Sequence, residues 1–439
     1  MIQAKDIFSG TERALPGSGL RGEISVPGDK SISHRAVILG SIAEGLTEIE
    51  GFLEGEDNLS TIEAFRLMGV NIARDGGRVS VTGRGLDGLS EPDDVINAGN
   101  SGTTTRLILG LLAGRPFFSA ITGDASLRKR PMKRVVDPLR KMGASIAGRN
   151  DGGLLPVAVS GRRLKGIEYR TPVASAQLKS ALLLAGLSAD GETVIEEPEK
   201  SRDHTERMLE LFGADVRSSG NAISLKSTNR LKGCKIIVPG DISSAAFFLT
   251  GATLAPESEL LIRQVGVNPT RVGIIDILRR MGGSIEVDAG SVASGEPVGN
   301  ILVRGSRLRG VDITGPELLP AIDEFPILCV AAAFADGTTR ISGAAELRVK
   351  ESDRIAAMSE CLSAIGVRNT ETEDGMIIEG TGGKRARGGS IKSRGDHRIA
   401  MAMAIAALMT EEGVNIEGAG SVDVSFPGFF GLLGKTRVG

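Results

Sequence analysis

The chain has 439 residues, 41% hydrophobic and 24% charged, and its 52 basic and 54 acidic side chains leave a net charge of −2. That length exceeds one comfortable core, so two domains are expected, and the near-neutral balance argues against the broad basic surface of a general nucleic-acid binder. With no Trp and a single Tyr, Tyr169, the aromatic platforms on which single strands stack are scarce as well.

At the start of the chain, Met1 to Thr11 lacks the charged and apolar regions of a signal peptide. The first predicted unit opens with a strand at Ile24-Ser-Val, the turn Pro27-Gly-Asp-Lys-Ser-Ile-Ser-His-Arg, an apolar helix through His34 to Ala43 and a strand at Gly45-Leu-Thr-Glu-Ile-Glu. An amphipathic run from Ile62 to Met68 then ends in Gly69, and Arg78-Val-Ser-Val adds a hairpin-like strand. Apolar residues at i, i+3, i+4 and i+7 predict one buried stripe, and the glycine is the expected left-handed cap.

The pattern recurs along the chain. A second unit begins near Val95, with the turn Gly99-Asn-Ser-Gly-Thr-Thr-Thr-Arg, the basic segment Leu127-Arg-Lys-Arg-Pro-Met-Lys-Arg and a helix from Val136 to Met142 before Gly143. A third, near Ile167, carries Ser175-Ala-Gln-Leu-Lys-Ser, the strand Thr193-Val-Ile-Glu, Lys200-Ser-Arg-Asp-His-Thr-Glu and a helix from Met208 to Phe212. Ile236-Ile-Val-Pro-Gly-Asp restarts the motif of the first unit, followed by helices at Ala245 to Leu254 and Ile274 to Met281. A fifth unit, near Val311, holds Asp323-Glu324 ahead of an apolar helix from Phe325, then Arg348-Val-Lys-Glu-Ser-Asp-Arg and a helix from Ile355 to Ile365. The sixth, near Ile391, contains Gly395-Asp-His-Arg and the apolar run Ile399 to Met409, too short to span a membrane. Six βαβαββ-like units at a spacing of roughly 70 residues result, with the second helix predicted in five of them. The restart near Val238 divides them into two groups of three: an α/β (α+β) protein of two globular domains.

Chemistry concentrates in the turns between first strand and first helix. Ser, Thr, Asp and Asn there serve as helix caps, while glycines and free backbone N–H groups at a helix start also form anion sites. Lys30, Arg35 and Arg398 oppose the helix dipole at such starts, a placement explained by bound anions. Lys179 and Arg106, taken singly, read as solvated surface charges. Glu351 beside Lys350 next to an anion suits proton transfer, and Asp323-Glu324 admits the same reading beside a role at a helix start. Cys234, Cys329 and Cys361 lie in or beside apolar stretches and read as small buried hydrophobes, and the spacing of His34, His204 and His397 fits no zinc motif. No Walker A loop occurs.

Seven segments in this order resemble the 5-enolpyruvylshikimate-3-phosphate (EPSP) synthases, the 3-phosphoshikimate 1-carboxyvinyltransferases. They are Pro27-Gly-Asp-Lys-Ser-Ile-Ser-His-Arg, Gly99-Asn-Ser-Gly-Thr, Arg130-Pro, Ser175-Ala-Gln, Arg348-Val-Lys-Glu-Ser-Asp-Arg, Asp396-His-Arg-Ile-Ala-Met and Ser425-Phe-Pro. The resemblance implies two domains of three βαβαββ repeats, residues 23–240 forming one and residues 1–22 with 241–439 the other, with the active site in the interdomain cleft. It implies transfer of enolpyruvyl from phosphoenolpyruvate to the 5-hydroxyl of shikimate 3-phosphate, releasing phosphate, in a cytoplasmic monomer without metal, organic cofactor, nucleic acid or membrane partner. By motif position, Lys30, Ser31, Arg35, Ser175, Ala176, Gln177, Arg202, Asp323 and Lys350 would hold shikimate 3-phosphate. Lys30, Asn100, Gly102, Arg130, Gln177, Arg354 and Arg398 would hold phosphoenolpyruvate. Asp323 would be general base and Glu351 general acid, with Lys30 assisting. Where many members carry a lysine near phosphoenolpyruvate, this chain has Val424. The related UDP-N-acetylglucosamine transferases commonly place a cysteine in the loop matching Gly123 to Pro131, which has none here. A non-catalytic anion- or RNA-binding repeat protein is the alternative from another class.

Overall fold

The computed structural model describes residues 10–228 and 230–439. The chain divides into two compact units, one of residues 28–239 with 292–296, the other of residues 1–27, 240–291 and 297–439. The strand Gly19–Ser25 runs parallel to Glu259–Gly266 of the second unit. The boundary expected between residues 22 and 23 therefore falls inside a strand, and the chain passes between units at 27 and 28.

The unit containing residues 28–239 is three repetitions of one motif. Its first helices are α1 (Lys30–Ile42), α3 (Gly102–Ala113) and α5 (Ala176–Gly186); its second helices are α2 (Glu56–Leu67), α4 (Lys133–Lys141) and α6 (His204–Leu211). Each repeat adds a four-stranded sheet of constant order: a parallel pair, then two antiparallel neighbours. The first sheet is completed by Lys235–Ile237, the last strand of the unit, which lies parallel to Glu44–Glu50. The first helices are apolar on almost every side, so they fill the centre while the sheets form outer walls. Gly110 allows their close approach: a Cβ there would lie 2.1 Å from the Ala181 carbonyl oxygen of α5.

The other unit repeats the plan with α7 (Ile242–Leu254), α8 (Gly273–Arg280), the four-residue α9 (Gly315–Leu318), α10 (Phe325–Phe334), α11 (Arg354–Ala364), α12 (His397–Ala406) and α13 (Phe429–Thr436). Helices α7, α10 and α12 pack on one another, and every residue of α7 and α10 is buried. The glycines predicted to cap the second helices, Gly69, Gly143, Gly213, Gly282 and Gly366, all have positive φ. Helix α13 is the second helix missing from the sequence pattern of the sixth repeat; Gly431 and Gly434 interrupt its apolar stripe, and Gly428 precedes it with positive φ. Among the cysteines, Cys329 and Cys361 are buried as expected, while Cys234 is only half-buried.

Candidate active site

Helix starts carry the polar residues of both units for a local reason. Asp29, Ser101 and Ser175 cap α1, α3 and α5, accepting from the backbone N–H of Ile32, Thr104 and Leu178. Asp241, Asp353 and Asp396 do the same for α7, α11 and α12. Capping fixes the backbone from which the neighbouring charged side chains project.

In the unit of residues 28–239 these side chains form one connected group. Lys30 pairs with the Asp57 carboxylate on α2. The Asp57 carbonyl oxygen accepts from Thr104 Oγ1 at 3.3 Å, which ties α2 to α3. One residue earlier, Thr103 Oγ1 accepts from Gln177 Nε2 at 2.9 Å, and Gln177 Oε1 in turn accepts from Arg106 at 2.6 Å. Arg130 donates to the carbonyl and side-chain oxygens of Asn100, whose amide donates to Asp124 at 2.6 Å. Between these arginines lies Gly102; a Cβ there would stand 2.9 Å from Arg106 Nη1 and 3.5 Å from Arg130 Nη1. Absence of a side chain thus leaves the start of α3 open to a small anion beside two guanidinium groups.

Arg35, buried on the next turn of α1, donates to the Ser31 carbonyl at 3.0 Å, to Ser180 Oγ at 2.8 Å and to Thr205 Oγ1 at 2.5 Å. Burial lowers its pKa to about 10, so it stays cationic at neutral pH. Arg202 is half-buried just ahead of α6. His34 is fully enclosed and shares a 2.7 Å hydrogen bond with Thr61; burial, with Lys30 and Arg35 nearby, holds its pKa well below the usual histidine range. It therefore acts as a neutral hydrogen-bonding residue of the core.

Two expectations require correction. Arg106 and Lys179 are not solvated surface charges. Arg106 is buried against Gln177 and the Pro131 carbonyl, while Lys179 has no exposed surface and is ion-paired to Glu197 and Glu206. Taking Lys179 singly missed this, because it lies one turn inside a helix whose other faces are apolar. A lone lysine within Gln-Leu-Lys-Ser-Ala-Leu-Leu-Leu was the available signal.

In the other unit, Arg354 at the start of α11 is 2% exposed and faces three carboxylates. Its guanidinium lies 2.8 Å from Asp396, 2.7 Å from Glu351 and 3.5 Å from Asp323. Burial opposes its charge, but these carboxylates more than offset that cost and raise its pKa above the usual arginine value. Arg398 donates to the Asp323 carbonyl at 3.1 Å and approaches Glu324 at 3.4 Å. Glu324, which shared with Asp323 the double reading of helix start or proton transfer, is also the partner of Ser243. Asp323, Glu351, Arg354 and Arg398 are thus assembled by the starts of α10, α11 and α12. Lys350 is turned toward Glu346, at 3.5 Å. Val424, at the end of a 3-10 turn, is half-buried.

Among the described residues, no group of three or more His, Cys, Asp or Glu side chains has a metal-binding arrangement, and no helix is long and apolar enough to cross a membrane. Repeated α/β units presenting arginines, a lysine and paired carboxylates at helix starts suit a transferase acting on small anionic molecules. Residues 15–433 match the EPSP synthase (3-phosphoshikimate 1-carboxyvinyltransferase) family, and the chain belongs to that family. It is 57% identical over 424 residues to the 3-phosphoshikimate 1-carboxyvinyltransferase of Pelobacter propionicus, covering 97% of this chain and 98% of that one. The Geobacter sulfurreducens enzyme of the same description is 56% identical over 423 residues, covering 96% and 98%. A solved structure of EPSP synthase from Acinetobacter baumannii superposes with a TM-score of 0.88 at 49% identity, covering 98% of each chain.

Proposed function

We propose that the chain joins phosphoenolpyruvate to the 5-hydroxyl of shikimate 3-phosphate by addition and elimination, with the residue roles that follow. Asp323 takes the hydroxyl proton as the oxygen bonds to C2 of phosphoenolpyruvate, and Glu351 delivers a proton to the methylene carbon. Loss of that carbon's proton and of phosphate from the tetrahedral adduct restores the double bond. Lys30, Ser31, Arg35, Ser175, Ala176, Gln177, Arg202, Asp323 and Lys350 bind shikimate 3-phosphate. Lys30, Asn100, Gly102, Arg130, Gln177, Arg354 and Arg398 bind phosphoenolpyruvate, and Lys30 assists at the reacting centre.

The observation that carries this reading is Arg354 facing Asp323, Glu351 and Asp396 together. A site built only to hold an anion gains nothing from carboxylates that compete for its cation. Two carboxylates sharing one arginine suit proton transfer at two positions of a substrate whose charge the arginine neutralises. A non-catalytic anion binder is disfavoured on the same ground. The reading includes action as a cytoplasmic monomer without a nucleic-acid partner.

The direct test incubates the protein with phosphoenolpyruvate and shikimate 3-phosphate and follows inorganic phosphate. Release is expected with this pair. Release instead with phosphoenolpyruvate and UDP-N-acetylglucosamine overturns the substrate assignment, and no release with either overturns catalysis.

A further inference from the structure

Lys179 projects from the second turn of α5 into an enclosed space where three segments meet. Its Nζ lies 2.8 Å from Glu197, 2.7 Å from Glu206 on α6 and 3.4 Å from the Ser201 carbonyl. Glu197 also accepts from the Ser201 backbone N–H at 3.3 Å. The adjacent residues of the same two helices, Ser180 and Thr205, share a hydrogen bond of 2.6 Å, and both hydroxyls accept from Arg35. Helices α5 and α6 are therefore joined by two neighbouring layers, one ionic and one of hydroxyls. The hydroxyl layer holds the arginine of α1.

Burying a lysine with two carboxylates is an expensive way to fill space; an apolar trio of similar volume commonly does so at least as well. What the ionic version adds is direction. Ammonium donors toward acceptors on α5's two neighbours resist sliding in a way that apolar contacts do not. Segment 197–203, which lies outside helix and strand, receives its Ser201 contacts from this cluster, and Arg202 follows directly.

We infer that Lys179, with Glu197 and Glu206, is a positioning group for recognition of shikimate 3-phosphate. The cluster sets the separation between the starts of α5 and α6, and thereby aims Ser175, Arg35 and Arg202. This rests on the residue roles proposed above. Arg130 is held by Asn100, away from α5, so that part of the phosphoenolpyruvate side does not depend on the cluster, whereas Arg106 reaches α5 through Gln177, which serves both substrates.

The test compares wild type with Lys179→Met/Glu197→Gln/Glu206→Gln, which removes the charges of the cluster together, and with Lys179→Met/Glu197→Gln, which keeps Glu206 and its electrostatic support of Arg35. Glu197→Gln alone, which keeps the Lys179–Glu206 pair, serves as the milder variant if the triple fails to fold. Displacement of binding groups predicts a KM for shikimate 3-phosphate raised on the order of 10- to 100-fold in the triple variant. KM for phosphoenolpyruvate should rise several-fold less, through Gln177 alone, with kcat within about threefold, and calorimetric binding of shikimate 3-phosphate alone should weaken in parallel with its KM. Glu197→Gln should show the same selectivity at smaller amplitude. A lower melting temperature with unchanged KM for shikimate 3-phosphate, or equal rises for both substrates, overturns the inference. Arg202→Ala runs alongside: if it leaves that KM unchanged, the underlying residue assignment fails instead.

Discussion

Asp323 and Glu351 differ in how tightly Arg354 holds them, 3.5 Å against 2.7 Å, although both carboxylates face the same guanidinium. The looser partner suits a base that must collect a proton. Asp323→Asn is expected to lower kcat by roughly 10²- to 10⁴-fold, read as phosphate release under saturating substrates. Asp396 has a structural share in the same cluster. Burial alone would raise its pKa, but Arg354 overrides this and holds it below the usual aspartate value. A depressed folded pKa means that the unfolded chain binds the extra proton. The stability contribution is therefore present above the unfolded pKa of about 3.9 and lost as pH falls through the folded value. Asp396→Asn should flatten the dependence of unfolding free energy on pH below about 4, measured by denaturant titration. Gly102→Ala should act on binding more than on folding, because the contact at 2.9 Å is the flexible end of Arg106. The expected result is a KM for phosphoenolpyruvate raised several-fold, with a melting temperature close to that of wild type.

Helix starts are the elements that deliver this chemistry, and their caps can be weighed individually. Ser101 accepts from Thr104 N–H and lies next to Gly102. Ser101→Ala should cost about 0.5–2 kcal/mol of stability in chemical denaturation and loosen the phosphoenolpyruvate side together with it. Most of these elements were legible in the sequence. Glycine stops end α2, α4, α6, α8 and α11, and the Val-Pro-Gly-Asp repeat exposes the division into two groups of three. Helix α13 was not legible, because two glycines dilute its apolar stripe. The connections of Lys179 and Arg106 were also hidden. Periodicity along one helix reports which face is buried, but not which carboxylate from a later part of the same repeat waits there. Glu197 and Glu206 stand 18 and 27 residues beyond Lys179 in sequence, and only the repeat's closure brings them together.

For the whole molecule, the mass of polar groups held at helix starts implies that ligand and fold are energetically linked. At a concentration of shikimate 3-phosphate about 100 times its Kd, binding to the folded state alone should add about 2.7 kcal/mol to stability. Differential scanning fluorimetry should record this as a rise in melting temperature, absent in Arg35→Ala. The closure of the first sheet by Lys235–Ile237 has a further consequence, for the order in which the chain takes shape during synthesis. Where the unit of residues 28–239 begins and ends, Asp29 N–H donates to the Pro239 carbonyl at 2.8 Å, so that stretch behaves as an insert with its two ends side by side. Gly19–Ser25, made earlier, has no sheet partner until Glu259–Gly266 emerges from the ribosome. The portion translated second is thus ready to fold first, while the leading strand waits. The segment 292–296 then arrives late, bringing Glu296 to His204 and completing a unit that has been nearly finished for some fifty residues of elongation.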